Sequence, residues 1–243
     1  MKHQPGLQTA AFKVVVGMAP LLLGACASAP PPPDWQANAF ASLNSFTSAY
    51  LSGNTRVADY ELARARVEIA RTGRPDLMAR AELVHCAAQV ASLELVPCMA
   101  YEALAADAQA PEQTYAAFLA GQWSDIQPEK LPLHYRGLLA LARRNAIGIP
   151  APAPVAQPTS PLAQIQDPLA RLIAAGVLLK MEQLTPADIA LAVDSASNQG
   201  WRRPVLAWLG VQHRRAQNAG DTAAAASVQR RIDLVLQTAP GKP

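Results

Sequence analysis

Three glutamates that could act together in hydrolysis lie close to one another in the sequence. Glu82, Glu94 and Glu102 could supply the pair of carboxylates, one acid and one base, with which enzymes cleave glycan strands. Glu is also an ordinary residue of exposed helix surfaces, and this interpretation is favoured for each of them. The sequence has no G-x-S-x-G, G-x-x-x-x-G-K-[ST], H-E-x-x-H or G-x-G-x-x-G motif. We therefore predict no catalytic residue and expect a protein without enzymatic activity.

Metal binding is also weakly supported by the sequence. Downstream of residue 25 the histidines are His85, His134 and His213, which are too scattered to define a ligand set. His85 with Cys86 and Cys98 offers three potential ligands, but no fourth lies nearby in the chain. We predict no metal site and no cofactor.

The first 26 residues have the layout of a secretory signal. A weakly basic start contains Lys2 and Lys13, and the apolar run 14–23 is too short to span a hydrocarbon core of about 30 Å. Small residues and a cysteine follow, in the order Leu23-Gly24-Ala25-Cys26.

This tetrapeptide resembles the lipobox of bacterial lipoproteins. In that family the cysteine is linked to diacylglycerol, becomes the new amino terminus after cleavage and is then acylated. The resemblance implies a cleaved signal over residues 1–25 and a lipid anchor at Cys26. Each methylene group of the acyl chains that is buried in the membrane would contribute about 0.8 kcal/mol, so the membrane attachment would be effectively permanent. An Asp after the cysteine tends to retain such proteins in the inner membrane. Ala27 occupies that position here, which implies the outer membrane, facing the periplasm.

The alternative is a general signal cleaved near Ala27 or Ala29, which would leave Cys26 without a role. In either case the basic excess largely disappears with the signal. Lys2 and Lys13 are two of the 21 basic residues and no acidic residue lies in 1–25, so 19 basic residues remain against 18 acidic ones, a net charge of +1. We therefore expect no nucleic-acid partner.

Cys86 and Cys98 are predicted to form a disulfide, given that Cys26 carries lipid and the compartment is oxidising. Two inert buried thiols, or part of a metal site with His85, are the alternatives. An unbroken helix would separate their Cα atoms by about 18 Å, whereas a disulfide usually needs about 4.4–6.8 Å. The helix that contains Cys86 must therefore end near residues 91–94, and residues 95–97 must fold back.

Apolar residues at steps of three and four predict an all-α fold of helical hairpins, for which a solenoid-like stack is one arrangement. The proposed organisation is a lipidated, proline-rich spacer over 26–34, a helical region with the disulfide over 35–147, a proline-rich linker or loop over 148–161, and helical hairpins over 162–238. Helices are predicted over 35–51, 55–71, from 75 to about 91–94, 99–107, 111–120, 131–146, from Pro168, from a capping box at Thr185–Asp188 to Gly200, over 201–217, and from Asp221.

The last two helices are also similar to a single degraded tetratricopeptide unit. Leu209-Gly210, His213, Gly220-Asp221 and Ala225 carry the resemblance, which departs by about three extra residues between His213 and Gly220. The resemblance implies a protein-binding array, because helical arrays mostly bind other proteins.

Basic residues are concentrated near the C-terminus in three arginine doublets. They form either a solvated helix surface or a site for anionic lipid head groups, lipopolysaccharide phosphate or an acidic protein partner. Helical spacing predicts that two of them, Arg203 and Arg214, face solvent opposite Trp201. The doublets are Arg202-Arg203, Arg214-Arg215 and Arg230-Arg231.

Together these features predict an outer-membrane lipoprotein whose helical, disulfide-stapled periplasmic body is an interaction or accessory module for envelope machinery. Its partners would be the membrane, through the lipid anchor, and an envelope protein. A peptidoglycan-modifying enzyme and a periplasmic carrier of hydrophobic ligands are the alternatives.

Overall fold

The computed structural model describes residues 32–146 and 160–237. Within those residues the chain forms ten α-helices and no strand, so the predicted all-α fold is confirmed. Cys26 and the signal lie outside the described residues, as does nearly all of the proline-rich segment 148–161. The helices are α1 Asp34–Leu51, α2 Thr55–Ala70, α3 Pro75–Ala91, α4 Met99–Glu102, α5 Ala110–Ala120, α6 Leu133–Ala146, α7 Pro168–Lys180, α8 Pro186–Asn198, α9 Arg202–Asn218 and α10 Thr222–Gln237.

Successive helices pair as hairpins, and α3 and α7 lie at the centre. α1 packs against α2, α9 packs against both α8 and α10, and α3 contacts α1, α2, α4, α5 and α7. The largest core cluster includes Leu83, Phe118, Leu172 and Trp208, which come from α3, α5, α7 and α9. Helices from both sides of residues 147–159 therefore share one hydrophobic core. No helix in the described ranges is long and apolar enough to cross a membrane.

Side chains cap several helices where the sequence places them. The Thr185 hydroxyl accepts from the Asp188 backbone N–H at 3.2 Å, and the Asp188 carboxylate accepts from the Thr185 backbone N–H at 2.9 Å, so the predicted capping box is confirmed. Asp167 caps α7 in the same way through the backbone N–H of Ala170. These caps satisfy backbone donors that have no partner inside the helix.

Two predicted helices are shorter than expected. The helix predicted over 99–107 ends at Glu102, and the chain continues in turns with three-residue bonds such as the one from the Leu104 N–H to the Tyr101 carbonyl. The helix predicted from 131 begins at Leu133. Leu131 is extended, because the ring of Pro132 disfavours a helical conformation at the residue before it.

The crossing of α3 and α7 is unusually close at Gly176. A Cβ atom at that position would collide with the carbonyl oxygen of Val90 and lie 2.8 Å from Val90 Cγ1. Ala91, Ala174 and Ala175, which are close in sequence to this contact, are fully buried in the same core cluster. Small side chains therefore allow the two backbones to approach each other.

Glu182→Gly should stabilise the protein by about 0.5–1 kcal/mol. Glu182 is exposed and has a φ of 58°. This left-handed conformation costs most residues about 1–2 kcal/mol, and glycine avoids that cost. Part of the gain is offset, because glycine loses more conformational entropy on folding than other residues do. Urea denaturation would measure the change. Glu182→Ala keeps the Cβ and is the control. Equal effects of the two substitutions would contradict the strain.

Candidate binding cavity beside the disulfide

The disulfide joins the C-terminal half of α3 to the residue that precedes α4. Cys86 and Cys98 are bonded, with their Cα atoms 5.9 Å apart, and the predicted bridge is confirmed. α3 ends at Ala91, and Leu93, with a φ of 61°, turns the chain back. Residues 92–98 therefore form a loop that the disulfide fastens to α3.

This loop covers one side of a cavity of about 680 Å³, hereafter the disulfide cavity. α3 and α5 form its other walls, and Lys180 at the end of α7 reaches it. Most of the lining is apolar, and both bridged cysteines belong to it. Leu83, Val90, Leu95, Tyr101, Ala116 and Leu119 are among the lining residues.

The mouth of the disulfide cavity carries exposed apolar side chains. Val96 lines the cavity and is 56% exposed, and Met99, next to the bridge, is 67% exposed. Glu102 and Gln122 add exposed polar groups to the lining. The apolar surface thus continues from the cavity onto the outside of the protein.

The three glutamates that could have supplied a carboxylate pair have different surroundings, and Glu82 does not lie on the exposed helix surface that the sequence favours for it. Glu82 is buried and accepts two bonds from Arg66, at 2.6 and 2.7 Å. Glu94 pairs with Arg203, and only Glu102 lines the disulfide cavity. Two of the three are thus paired with arginines, and among the described residues that line the disulfide cavity Glu102 is the one carboxylate.

Within residues 32–146 and 160–237, no group of three His, Cys, Asp or Glu residues could hold a metal ion. His85 packs instead with its ring edge-on to Phe46, with ring centroids 5.5 Å apart, and near Tyr50. Burial lowers the pKa of His85 below its ordinary value of 6.5, although the charge on Glu82 opposes the shift. The half-buried imidazole therefore packs among aromatic rings and is harder to protonate than a histidine in water.

The protein should lose stability as the pH falls below about 6.5. His85 takes up a proton at its ordinary pKa in the unfolded chain, but at a lower pH in the folded protein. The contribution of neutral His85 to the free energy of unfolding is therefore complete above pH 6.5, and it is lost as the pH falls through the folded pKa. Burial also lowers the pKa of His134, so His134 should add to the same pH dependence. Urea denaturation of wild type and His85→Gln between about pH 7 and pH 5 would test this, and the variant should show the shallower slope. Parallel slopes would contradict it.

Arg203 does not face solvent as the sequence predicted. Its side chain is only 23% exposed, and its guanidinium donates to the Tyr50 carbonyl, Thr55 Oγ1 and Glu94 Oε1, each at 2.8 Å. The guanidinium also lies 4.2 Å from the centroid of the Tyr50 ring. Arg203 therefore links α9 to the α1–α2 turn and to the end of α3.

Four of the six C-terminal arginines are exposed. Arg214 and Arg215 lie on α9, Arg230 and Arg231 lie on α10, and none of the four forms an ion pair within the described part of the chain. Arg202 is half-buried, with Nη1 close to Gly53. A site for an anionic partner on these helices stays a prediction. Arg203 is not part of it, because its guanidinium is already bound within the protein.

No protein-family model matches the chain, and neither a curated protein nor a solved structure shows significant similarity to it.

Proposed function

We propose that this protein is an outer-membrane lipoprotein, anchored through Cys26, whose periplasmic helical body holds an envelope partner by an apolar segment inserted into the disulfide cavity. One observation supports the binding site most directly: Val96 lines the disulfide cavity and is 56% exposed, so the apolar lining reaches the protein surface. The lipobox-like sequence at Cys26 supports the anchor.

The exposed rim favours a protein partner over a small ligand. A small apolar ligand would be covered by the cavity walls, and it would leave Val96 and Met99 in water. A protein that inserts one apolar segment would cover the rim as well, as the centre of an interface covers its apolar anchors. Exposed apolar side chains that border a cavity are typical of such sites.

The disulfide and the anchor would each strengthen binding. The bridge holds the loop 92–98 in place before the partner binds. The loop therefore loses less conformational entropy on binding. The lipid would confine the body to the membrane surface and raise its effective concentration near membrane-bound partners.

In-cell photo-crosslinking would test the proposal. A photoreactive amino acid at Val96 should yield one dominant envelope-protein adduct, because that position lies at the mouth. Phe40 is an apolar residue on α1 that is 67% exposed, against 56% for Val96, and it does not line the cavity; it is the matched control position and should yield no such adduct. Diffuse adducts from both positions would contradict the binding site.

Cys26→Ala separates the anchor from the binding site. The variant should lose acyl labelling and leave the membrane fraction, because the acyl chains are the proposed membrane attachment. The Val96 adduct should then fall strongly. Unchanged acyl labelling and membrane association would contradict the lipid anchor without bearing on the cavity.

The carrier of hydrophobic ligands is the second candidate, and the size of the disulfide cavity favours it. Organic extraction of the purified protein followed by mass spectrometry should then recover a stoichiometric apolar compound. Leu119→Trp, which narrows the cavity, should reduce that recovery, whereas Val67→Trp on the exposed surface of α2 should not.

A further inference from the structure

α2 has an apolar stripe on the side that faces away from the core. The inner side of this helix is buried against α1 and α3. The outer side is exposed, and Tyr60 and Val67 on that side are 62% and 56% exposed. The stripe consists of Tyr60, Ala63, Val67 and Ala70, all of them exposed, at steps of three, four and three residues. This spacing places side chains in one row along a helix, as in the seam of a helix pair. We call this row the α2 stripe.

A shallow depression of about 210 Å³ lies in the α2 stripe. Tyr60, Ala63, Arg64 and Val67 line it, together with Glu68. The first four occupy positions i, i+3, i+4 and i+7, which are the four residues that surround a hole in knobs-into-holes packing. Ala63 has the smallest side chain of the four, which leaves room between its neighbours. The depression therefore fits one side chain of a facing helix.

The sizes of the stripe residues fit an antiparallel copy of the same helix. A two-fold axis level with Ala65 would place Tyr60 of one copy opposite Ala70 of the other, and Ala63 opposite Val67. Each layer would then pair a large side chain with a small one, which fills the space evenly. Val67 of each copy would enter the depression of the other. A parallel copy would instead set Tyr60 against Tyr60 and Ala63 against Ala63.

The charges along one edge of the α2 stripe favour the same arrangement. Their signs alternate, in the order Glu61, Arg64, Glu68 and Arg71. Glu61 pairs with Arg64 at 3.4 Å, and Glu68 pairs with Arg71 at 2.7 Å. An antiparallel copy presents this order in reverse, so that each positive group comes near a negative group of the other copy. Arg64 and Glu68 both line the depression, and each would meet the other across the two-fold axis. A parallel copy would set like charges against each other.

We propose that two copies of this protein associate through the α2 stripe, as an antiparallel helix pair with two-fold symmetry. Two copies close the interface, because the same surface serves on both sides. The association does not depend on the function proposed above, since none of the described residues that line the disulfide cavity belongs to α2. One helix pair is a small interface, so the association is reversible and of moderate affinity.

Sedimentation equilibrium of the full-length protein in density-matched detergent would measure the association. Wild type should dimerise with a dissociation constant in the micromolar range. Tyr60→Glu should weaken dimerisation at least about tenfold, because the dimer would bury a carboxylate against an alanine. Leu234→Glu on α10, where the leucine is 64% exposed, is the matched control and should leave the dissociation constant unchanged. A wild type that stays monomeric at about 100 µM, or equal effects of the two substitutions, would overturn the proposal.

An exchange of two charges tests the antiparallel orientation. Arg64→Glu should weaken the dimer about fivefold, because the new carboxylate would face Glu68 of the other copy at two symmetric places. Adding Glu68→Arg to this variant should restore most of the affinity, because both contacts then pair opposite charges again. Far-ultraviolet circular dichroism should show the same helix content for both variants and wild type. A double variant that dimerises more weakly than Arg64→Glu alone would contradict the antiparallel pair.

In-cell photo-crosslinking from position 67 distinguishes a second copy from another protein. The adduct should have twice the mass of the chain, and the crosslinked peptide should contain Ala63, which lies opposite Val67 in the proposed pair. An adduct with a different protein would overturn the proposal and would identify the α2 stripe as a docking site for a helix of that protein.

Discussion

Gly176→Ala should destabilise the protein by about 1–3 kcal/mol, because the new methyl group has no space. It would collide with the backbone carbonyl of Val90 and lie 2.8 Å from Val90 Cγ1. The carbonyl belongs to the last turn of α3 and is a backbone atom, so it cannot move aside as the end of a flexible side chain can. α3 and α7 would have to separate, and the alanines between them would lose contact.

The matched control is Gly210→Ala, the same substitution in another helix. Gly210 lies inside α9, and a Cβ there would meet nothing within 4 Å. That variant should gain about 0.5–1 kcal/mol, because alanine is the better helix former. Urea denaturation followed by far-ultraviolet circular dichroism would measure both. Changes of the same sign would show that the helices do not pack as closely at Gly176 as described.

Replacing both bridged cysteines by serine should lower the free energy of unfolding by about 2–4 kcal/mol. The disulfide closes a loop and so restricts the conformations of the unfolded chain, and the double variant loses this restriction. Cys86 is also buried, so a serine hydroxyl at that position would lose its hydrogen bonds to water, which adds to the loss of stability. Denaturation of the oxidised wild type and the double variant would give the difference.

Reduction provides the internal control for that experiment. Dithiothreitol should destabilise the wild type by most of the same amount and leave the double-serine variant unchanged. Amide hydrogen exchange should increase in the loop 92–98, which the bridge fastens to α3. Equal stabilities of wild type with and without reductant would show that the bridge does not stabilise the fold.

Most of the helices could be predicted because their signals are local. Pro75 opens α3, Asp167 caps α7, and Thr185 with Asp188 starts α8 through contacts within three residues. The bridge also constrained the fold, since it required α3 to end where it does. Leu93 had no such signal, because a left-handed residue at a helix end is usually Gly.

The candidate cavity could not be predicted, because it depends on contacts between distant segments. The disulfide cavity combines α3, α5 and the end of α7, whose relative positions helical periodicity does not give. Arg203 illustrates the same limit. Its place in α9 suggested solvent, but α9 packs against a carbonyl at residue 50 and a carboxylate at residue 94, which satisfy its guanidinium.

The contacts made by α9 have a consequence for the order of events during biosynthesis. The Trp208 indole N–H donates to the Ala91 carbonyl at 3.1 Å, and Arg203 donates to the Tyr50 carbonyl. Both acceptors are synthesised more than a hundred residues before their donors. A nascent chain that ends before α9 therefore leaves these carbonyls and the adjoining apolar face of α3 without their native cover. Native packing around these two carbonyls is therefore complete only when the C-terminal helices are present.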